Sequence, residues 1–190
     1  MLLSSKLLVK NMVCDRCIRV VQQELNSLGI KVLEVKLGEV NIAGLLDEVQ
    51  LHQINQKFEE LGFELLKDKK EKIVEKIKNI LVNLIHHDQQ ELKTNISQIL
   101  QEIIGLDYGY ISQLFSEQEG QTIEKYVIQQ RVEKAKELLR YNELTLNEIA
   151  QNLHYSSVAH LSAQFKKITG MTPSQYKANE ENHRISLDKV

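Results

Sequence analysis

Two groups of residues carry recognisable chemistry. The first is Met12-Val13-Cys14-Asp15-Arg16-Cys17, which holds the chain's only two cysteines. As thiolates on one loop, Cys14 and Cys17 can grip a single ion from the same side. Soft sulfur ligands favour Cu(I), Zn or Cd over Mg or Ca. Two ligands suit linear Cu(I). Tetrahedral zinc wants two more, from a second subunit or from elsewhere. The sequence predicts Cys17 at a helix N-terminus, where the dipole and free N–H groups lower a thiol's pKa. Arg16 adds positive charge nearby, and Met12 is expected to pack beneath the loop without binding the ion. A redox pair and a relic site with no ligand are alternative readings of the same residues.

The second group lies in residues 144–176, LTLNEIAQNLHYSSVAHLSAQFKKITGMTPSQY. Leu146, Ile149, Ala150 and Leu153 recur at helical spacing. Ser156 or Ser157 is a good N-cap for a second helix. That helix places Leu161, Phe165 and Ile168 on one face, with Ser162, Lys166 and Lys167 outside it. Gly170 ends it, and Thr172-Pro173 restarts the chain as N-cap and first helical residue. A buried helix followed by a polar-faced one ending in paired lysines has the layout of a DNA-reading helix-turn-helix.

Residues 96–126 repeat this pattern. Ile96 matches Leu146, Ile99 matches Ile149, Ile103 matches Leu153, Ser112 matches Ser162, Phe115 matches Phe165, Gly120 matches Gly170 and Tyr126 matches Tyr176. Each pair is fifty apart, for instance 162 − 112 = 50. A helix over 123–140 joins the copies. The copies differ where charge matters: Lys166-Lys167 become Ser116-Glu117, and Glu119 adds a further negative charge. Carboxylates facing phosphate cost affinity, so the second copy is expected to hold DNA harder.

The SSVAHLSAQFKKITGMTPSQY stretch closely resembles the signature of the AraC family of bacterial transcription regulators, and RVEKAKELL at 131–139 resembles that family's linker helix. The likeness runs over about residues 67–178. It implies base-reading positions beside the inward residue of each second helix. Carried over, these are Gly109, Ser112 and Gln113 in the first copy, and Ser157, Val158, Ala159, Ser162 and Ala163 in the second. Gln113 can bond adenine, whereas Val158 and Ala163 suit a thymine methyl, which implies an A·T-rich site. Lys166 and Lys167 suit phosphate, and His160 is equally a packing residue. Promoter DNA is the implied partner, with RNA polymerase and a second copy of the chain as further candidates.

The elements ahead of that region read as βαββαβ. Strands fall at 7–12, 30–36, 39–43 and 63–66, and helices at 15–28 and 49–61, which makes a ferredoxin-like unit. MxCxxC at the first strand–helix junction, with Leu61-Gly62-Phe63, resembles the heavy-metal-associated domain of soft-metal chaperones and pumps over residues 7–66. Asn11 departs from that family, which has glycine before the methionine.

The expected fold is therefore an α+β ferredoxin-like domain (1–66), a charged hinge KDKKEK (67–72), an all-α tandem helix-turn-helix domain (73–178) and a polar tail (179–190). The stripe Ile73, Ile77, Ile80, Leu81, Leu84 and Ile85 is read as the first helix of the DNA-binding domain. His86 and His87 point about 100° apart on a helix and cannot easily share an ion, so a solvated or capping role is expected.

Composition agrees with this organisation. The chain has 190 residues, 42% hydrophobic and 26% charged, with one proline and a net charge of −2. Lys and Arg number seven against nine Asp and Glu in residues 1–66, seven against nine in 67–121, and ten against eight in 122–190. The only basic excess lies in the last part, where phosphate contacts need it. No apolar run approaches the ~20 residues of a membrane helix, and no signal-peptide layout opens the chain. A cytoplasmic protein with reduced thiols is expected. No Ser/His/Asp or paired-carboxylate constellation points to an enzyme.

Three functions compete on these grounds. One is a regulator responding to a soft ion, with Cu(I) first and Zn or Cd next. The second is a regulator whose N-terminal domain is an interaction or dimerisation module without metal. The third is a metallochaperone with a degenerate helical appendage.

Overall fold

A computed structural model describes residues 4–66, 69–87, 95–179 and 187–190. It divides into two compact units, Met1–Asn79 and Ile80–Val190.

The first unit contains β1 (Ser4–Lys10), α1 (Asp15–Ser27), β2 (Val32–Lys36), β3 (Glu39–Ala43), α2 (Glu48–Glu60) and β4 (Glu64–Leu65). The element order is βαββαβ, as expected. The sheet order is β2-β3-β1-β4, and each neighbouring pair is antiparallel. Alternation sets the register: Leu7 faces Val40, Ser5 faces Ile42 and Val9 faces Leu65. Val9, Val40 and Ile42 join Val21 and Leu25 of α1 and Ile54 and Phe58 of α2 in one core. Phe63 meets Phe58 edge-on at 6.1 Å between ring centroids. The Asp47 carboxylate caps α2 by accepting from the Gln50 N–H, while the Gln50 side chain accepts from the Asp47 N–H.

Helix α3 (Lys69–Val82) begins inside the charged KDKKEK run, of which Lys67 and Asp68 lie outside the described residues. Its earlier turns belong to the first unit. The Glu75 carboxylate accepts from the Asn11 N–H at 2.9 Å, and a side chain at Gly38 would collide with Asn79. The apolar stripe read as opening the DNA-binding region is thus split, with the division between units at Asn79 and Ile80.

In the second unit a single π-helical turn (Asn83–His87) precedes α4 (Ile96–Ile104), α5 (Tyr108–Glu119), α6 (Ile123–Tyr141), α7 (Leu146–Asn152), α8 (Val158–Thr169) and α9 (Pro173–Ala178). His86 is neither solvated nor a cap. Its ring is largely buried, with Nε2 2.9 Å from Gln130 Oε1 on α6, and burial pushes its pKa down to about 4. The fully buried Gln130 also donates to the Leu187 carbonyl at 3.4 Å. Beyond Asn179 the tail is described only from Leu187 onward, where a short 3-10 turn runs over Leu187–Lys189. No helix among the described residues is long and apolar enough to cross a membrane.

Candidate nucleic-acid interface and thiol loop

Loop 11–14 is held from three sides. Asn11 adopts φ 70°, a left-handed conformation that asparagine tolerates better than most side chains. It therefore stands in for the expected glycine. Its side-chain amide donates to the Gly62 carbonyl at 2.8 Å, and its N–H is taken by Glu75. Met12 is fully buried in the core beneath the loop. Cys14 is the N-cap of α1 in extended conformation, and Cys17 lies in its first turn.

The two sulfurs are 3.4 Å apart and both cysteines are half-buried. Burial is the largest single influence on each thiol, and it raises the pKa. At Cys14 the N–H groups of Cys17 and Arg16, the Cys17 thiol and the Arg16 charge together outweigh it, and the pKa falls. At Cys17 the neighbouring Cys14 thiol adds to burial, and the pKa rises. The lowered Cys17 pKa expected from sequence is therefore not found. Backbone groups of the loop and helix start favour both thiolates, but at Cys17 burial and the Cys14 thiol outweigh them. No cluster of three or more His, Cys, Asp or Glu able to hold a metal occurs among the described residues.

The two repeats of the second unit share their framework. Asn95 and Thr145 cap α4 and α7, Asp107 and Ser157 cap α5 and α8, and Thr122 and Thr172 cap α6 and α9. Gly120 and Gly170 close α5 and α8 at φ 66° and 79°. Phe115 packs edge-on against Tyr126 at 5.5 Å, and Phe165 against Tyr176 at 5.3 Å. All four aromatic side chains are buried.

The fifty-residue offset fails in one place. The left-handed turn residue is Gly105 in the first repeat and His154 in the second, a difference of 154 − 105 = 49. Helix α4 therefore runs on to Ile104, whereas α7 stops at Asn152. Ile103, still helical, points outward at 49% exposure, while its expected match Leu153 is buried. Ile168 is likewise 39% exposed. It lies three residues beyond the inward Phe165, near the end of α8, and is not buried as Leu161 and Phe165 are.

Residues 100–179 match a family model described as a helix-turn-helix domain. The chain is 31% identical over 108 residues to the "Probable transcriptional regulator LumQ" of Photobacterium leiognathi, covering 56% of this chain and 43% of that protein. It is 34% identical over 104 residues to the F1 operon positive regulatory protein of Yersinia pestis, covering 53% and 35%. The C-terminal domain of AraT, a response regulator from Geobacillus stearothermophilus, aligns with TM-score 0.49 and 25% identity over 62% of this chain and 97% of that one. Residues 100–179 form a helix-turn-helix domain. The chain spans less than half the length of the two curated regulators.

Within the helix-turn-helix domain, the sequence-derived positions fall on the outer faces of α5 and α8. Gly109 and Gln113 are exposed and Ser112 half-buried on α5. Gln113 donates to the Glu117 carboxylate at 2.8 Å, so its amide is already engaged along the helix. On α8, Ala159 and Ala163 are exposed, while Val158 and Ser162 are half-buried. Residues 159, 163 and 166 stand at i, i+4 and i+7 and share a stripe. The exposed Lys166 and Lys167 lie in the last turn. Ser157 is committed to capping, since its hydroxyl accepts from the His160 N–H at 3.1 Å. His160 sets its ring edge-on to Tyr155 at 5.3 Å and lies 3.1 Å from the Ser156 hydroxyl.

Arg131 on α6 is a residue that spacing and periodicity do not single out. Its guanidinium lies 5.8 Å from the Tyr155 ring centroid, within reach of a cation–π contact.

Proposed function

We propose that the protein is a sequence-specific, double-stranded-DNA-binding transcription regulator acting in the cytoplasm. The observation that carries this reading is the pair of outward faces on α5 and α8, the second ending in exposed Lys166 and Lys167, held on one duplicated framework. Two such helices can enter successive major-groove turns. The base-edge contacts are assigned to Gly109, Ser112, Gln113, Val158, Ala159, Ser162 and Ala163, with Ser157 at the helix start. Lys166 and Lys167 hold phosphate. The relatives named as regulators favour the same reading. Selection from a random duplex pool tests it: a recurrent A·T-rich site is expected, and no enrichment at all would refute it.

The first unit is assigned as a ferredoxin-like module of the heavy-metal-associated type that takes a soft ion at Cys14 and Cys17. The donor set fits. Two sulfurs on tetrahedral zinc sit about 3.8 Å apart and on linear Cu(I) wider still, so the pair at 3.4 Å must open to take either ion, Cu(I) the more. The Cys14 thiol is already biased toward thiolate. Two sulfurs without further donors suit Cu(I) first, with Zn or Cd in second place. Bound there, the ion would supply charge and a cross-link between the loop and α1. A Cu(I) competition titration against a chromophoric chelator tests this. One equivalent is expected, lost in Cys14→Ser with Cys17→Ser, and equal uptake by the double variant would overturn the assignment.

One observation favours a second reading, in which the unit docks a partner protein or a second copy. Leu45, Val49 and Leu61 are 71%, 67% and 45% exposed. Concentration-dependent sedimentation that disappears with Leu45→Ser and Val49→Ser would establish it without metal.

A further inference from the structure

Cys14 and Cys17 are the chain's only cysteines, and both are free. Their sulfurs lie 3.4 Å apart. An ion must push them apart, whereas a disulfide must draw them together to about 2.05 Å. The two demands are opposite, and each consumes both thiolates. The backbone between the cysteines is already closed. The Cys17 N–H donates to the Cys14 carbonyl at 2.9 Å, and the Ile18 N–H donates to the same carbonyl at 3.3 Å. The residues ahead of them are fixed as well. Met12 is fully buried, and Asn11 is tied to the Gly62 carbonyl and the Glu75 carboxylate. Joining the sulfurs therefore needs side-chain rotation and no rearrangement of the helix start. Both cysteines are only half-buried, so a small reagent can reach them. A folded loop that holds two thiols this close gives each a higher effective concentration toward the other than the unfolded chain does.

We propose that Cys14 and Cys17 form a reversible intramolecular disulfide by exchange with a low-molecular-weight disulfide, and that this bond shuts the loop to a soft ion. One thiolate attacks the small disulfide RSSR, which forms a mixed protein–SR bond and releases RS−. The second thiolate attacks the protein sulfur of that bond, which forms the Cys14–Cys17 disulfide and releases a second RS−. The two thiol protons end on the two released thiolates. The cysteines lose two electrons and RSSR gains them. In a reducing compartment such a bond is transient and redox-sensing. Exclusion of the ion rests on the metal assignment made above. The disulfide itself does not.

The test is incubation of the metal-free full chain in glutathione buffers, followed by alkylation of the remaining thiols and intact-mass measurement. With glutathione disulfide in excess, the chain should lose both alkylatable thiols and carry no glutathione. Excess dithiothreitol should restore both. In Cys14→Ser and in Cys17→Ser the remaining thiol has no partner, so at least one of these variants should keep glutathione bound. The same exchange in the urea-unfolded chain should favour the disulfide about tenfold less, or less still, because the sulfurs are no longer held together. That comparison needs no variant. The oxidised chain should take up about a tenth or less of the Cu(I) bound by the reduced chain, since no thiolate remains to bind it. Two thiols still alkylated after treatment with glutathione disulfide would overturn the proposal. So would a wild type that accumulates the glutathione adduct, equal exchange in folded and unfolded chains, or undiminished Cu(I) uptake by the oxidised chain. A reduced chain that takes no Cu(I) yet closes the disulfide removes the metal assignment alone. A reduced chain that takes Cu(I) and never closes it removes this proposal alone.

Discussion

Phe115 against Tyr126 and Phe165 against Tyr176 are the same contact made twice, fifty residues apart. Around each, an N-cap, a left-handed glycine and a threonine cap recur in the same order. The outer faces have diverged. At matched positions the second repeat shows two exposed lysines, while the first shows Ser116 and a glutamate tied to Gln113. The inside of a helix-turn-helix is fixed by packing, which tolerates little change. Its outside is fixed only by what it meets. The aromatic contact and the caps are kept while the charge of the outer faces is not, which points to two halves that fold around the same framework and present different surfaces.

The largest effect should come from the shared core. Phe115→Ala and Phe165→Ala should each cost about 3–5 kcal/mol of stability, because both remove a buried ring and leave a cavity. Guanidinium unfolding measures this. A threefold difference between the two variants would break the equivalence of the frameworks.

The next effect should come from the turn that precedes the repeats. His86 is buried against Gln130 of α6 and has a pKa near 4, below its unfolded value of about 6.5. A base with a depressed pKa binds fewer protons folded than unfolded, so stability rises with pH across that window. The contribution is present above about pH 6.5 and is lost as pH falls toward 4, with an upper bound of about 3 kcal/mol. His86→Leu should flatten that part of the pH–stability curve. An unchanged slope would place the titration elsewhere.

A smaller effect separates the threonine caps. Thr172 and Gln175 form a reciprocal box, with the Thr172 N–H donating to Gln175 Oε1 at 2.9 Å and the Gln175 N–H donating to Thr172 Oγ1 at 3.2 Å. Thr122 accepts from the Lys125 N–H, and the lysine is no acceptor to return the bond. Thr172→Ala should cost about 1 kcal/mol and Thr122→Ala a few tenths less. Equal losses in thermal unfolding would remove that distinction.

Much of this organisation was legible in the sequence because it depends on periodicity and punctuation. The repeat offset, the caps at Ser157 and Thr172, the glycine stops and the βαββαβ order all arise from local chemistry. Tertiary context decided the rest. Ile103 looks inward by spacing but points out, because Gly105 ends α4 one position later than the offset implies. The Ile73–Ile85 stripe reads as one helix of one domain, yet Glu75 and Asn79 turn its earlier part to the first unit. Asn11 reads as a departure from the expected glycine, yet it makes the left-handed turn beside the thiols that glycine would make. The relative acidity of Cys14 and Cys17 depends on the balance of burial and hydrogen bonds at each sulfur, which spacing alone does not fix. Arg131 is one charge among many in α6 until Tyr155, distant in sequence, is brought beneath it.

The most direct test of unequal halves is DNA affinity measured against salt on the selected site. The comparison is among the wild type, Lys166→Glu with Lys167→Glu, and Ser116→Lys with Glu117→Lys. Each phosphate contact contributes about 0.9 to the slope of log K against log salt. The charge-reversed second repeat should lose close to two such contacts and an order of magnitude or more in affinity, while the lysine-bearing first repeat should gain both slope and affinity. A charge-reversed α8 that binds with the wild-type slope and affinity would contradict the account.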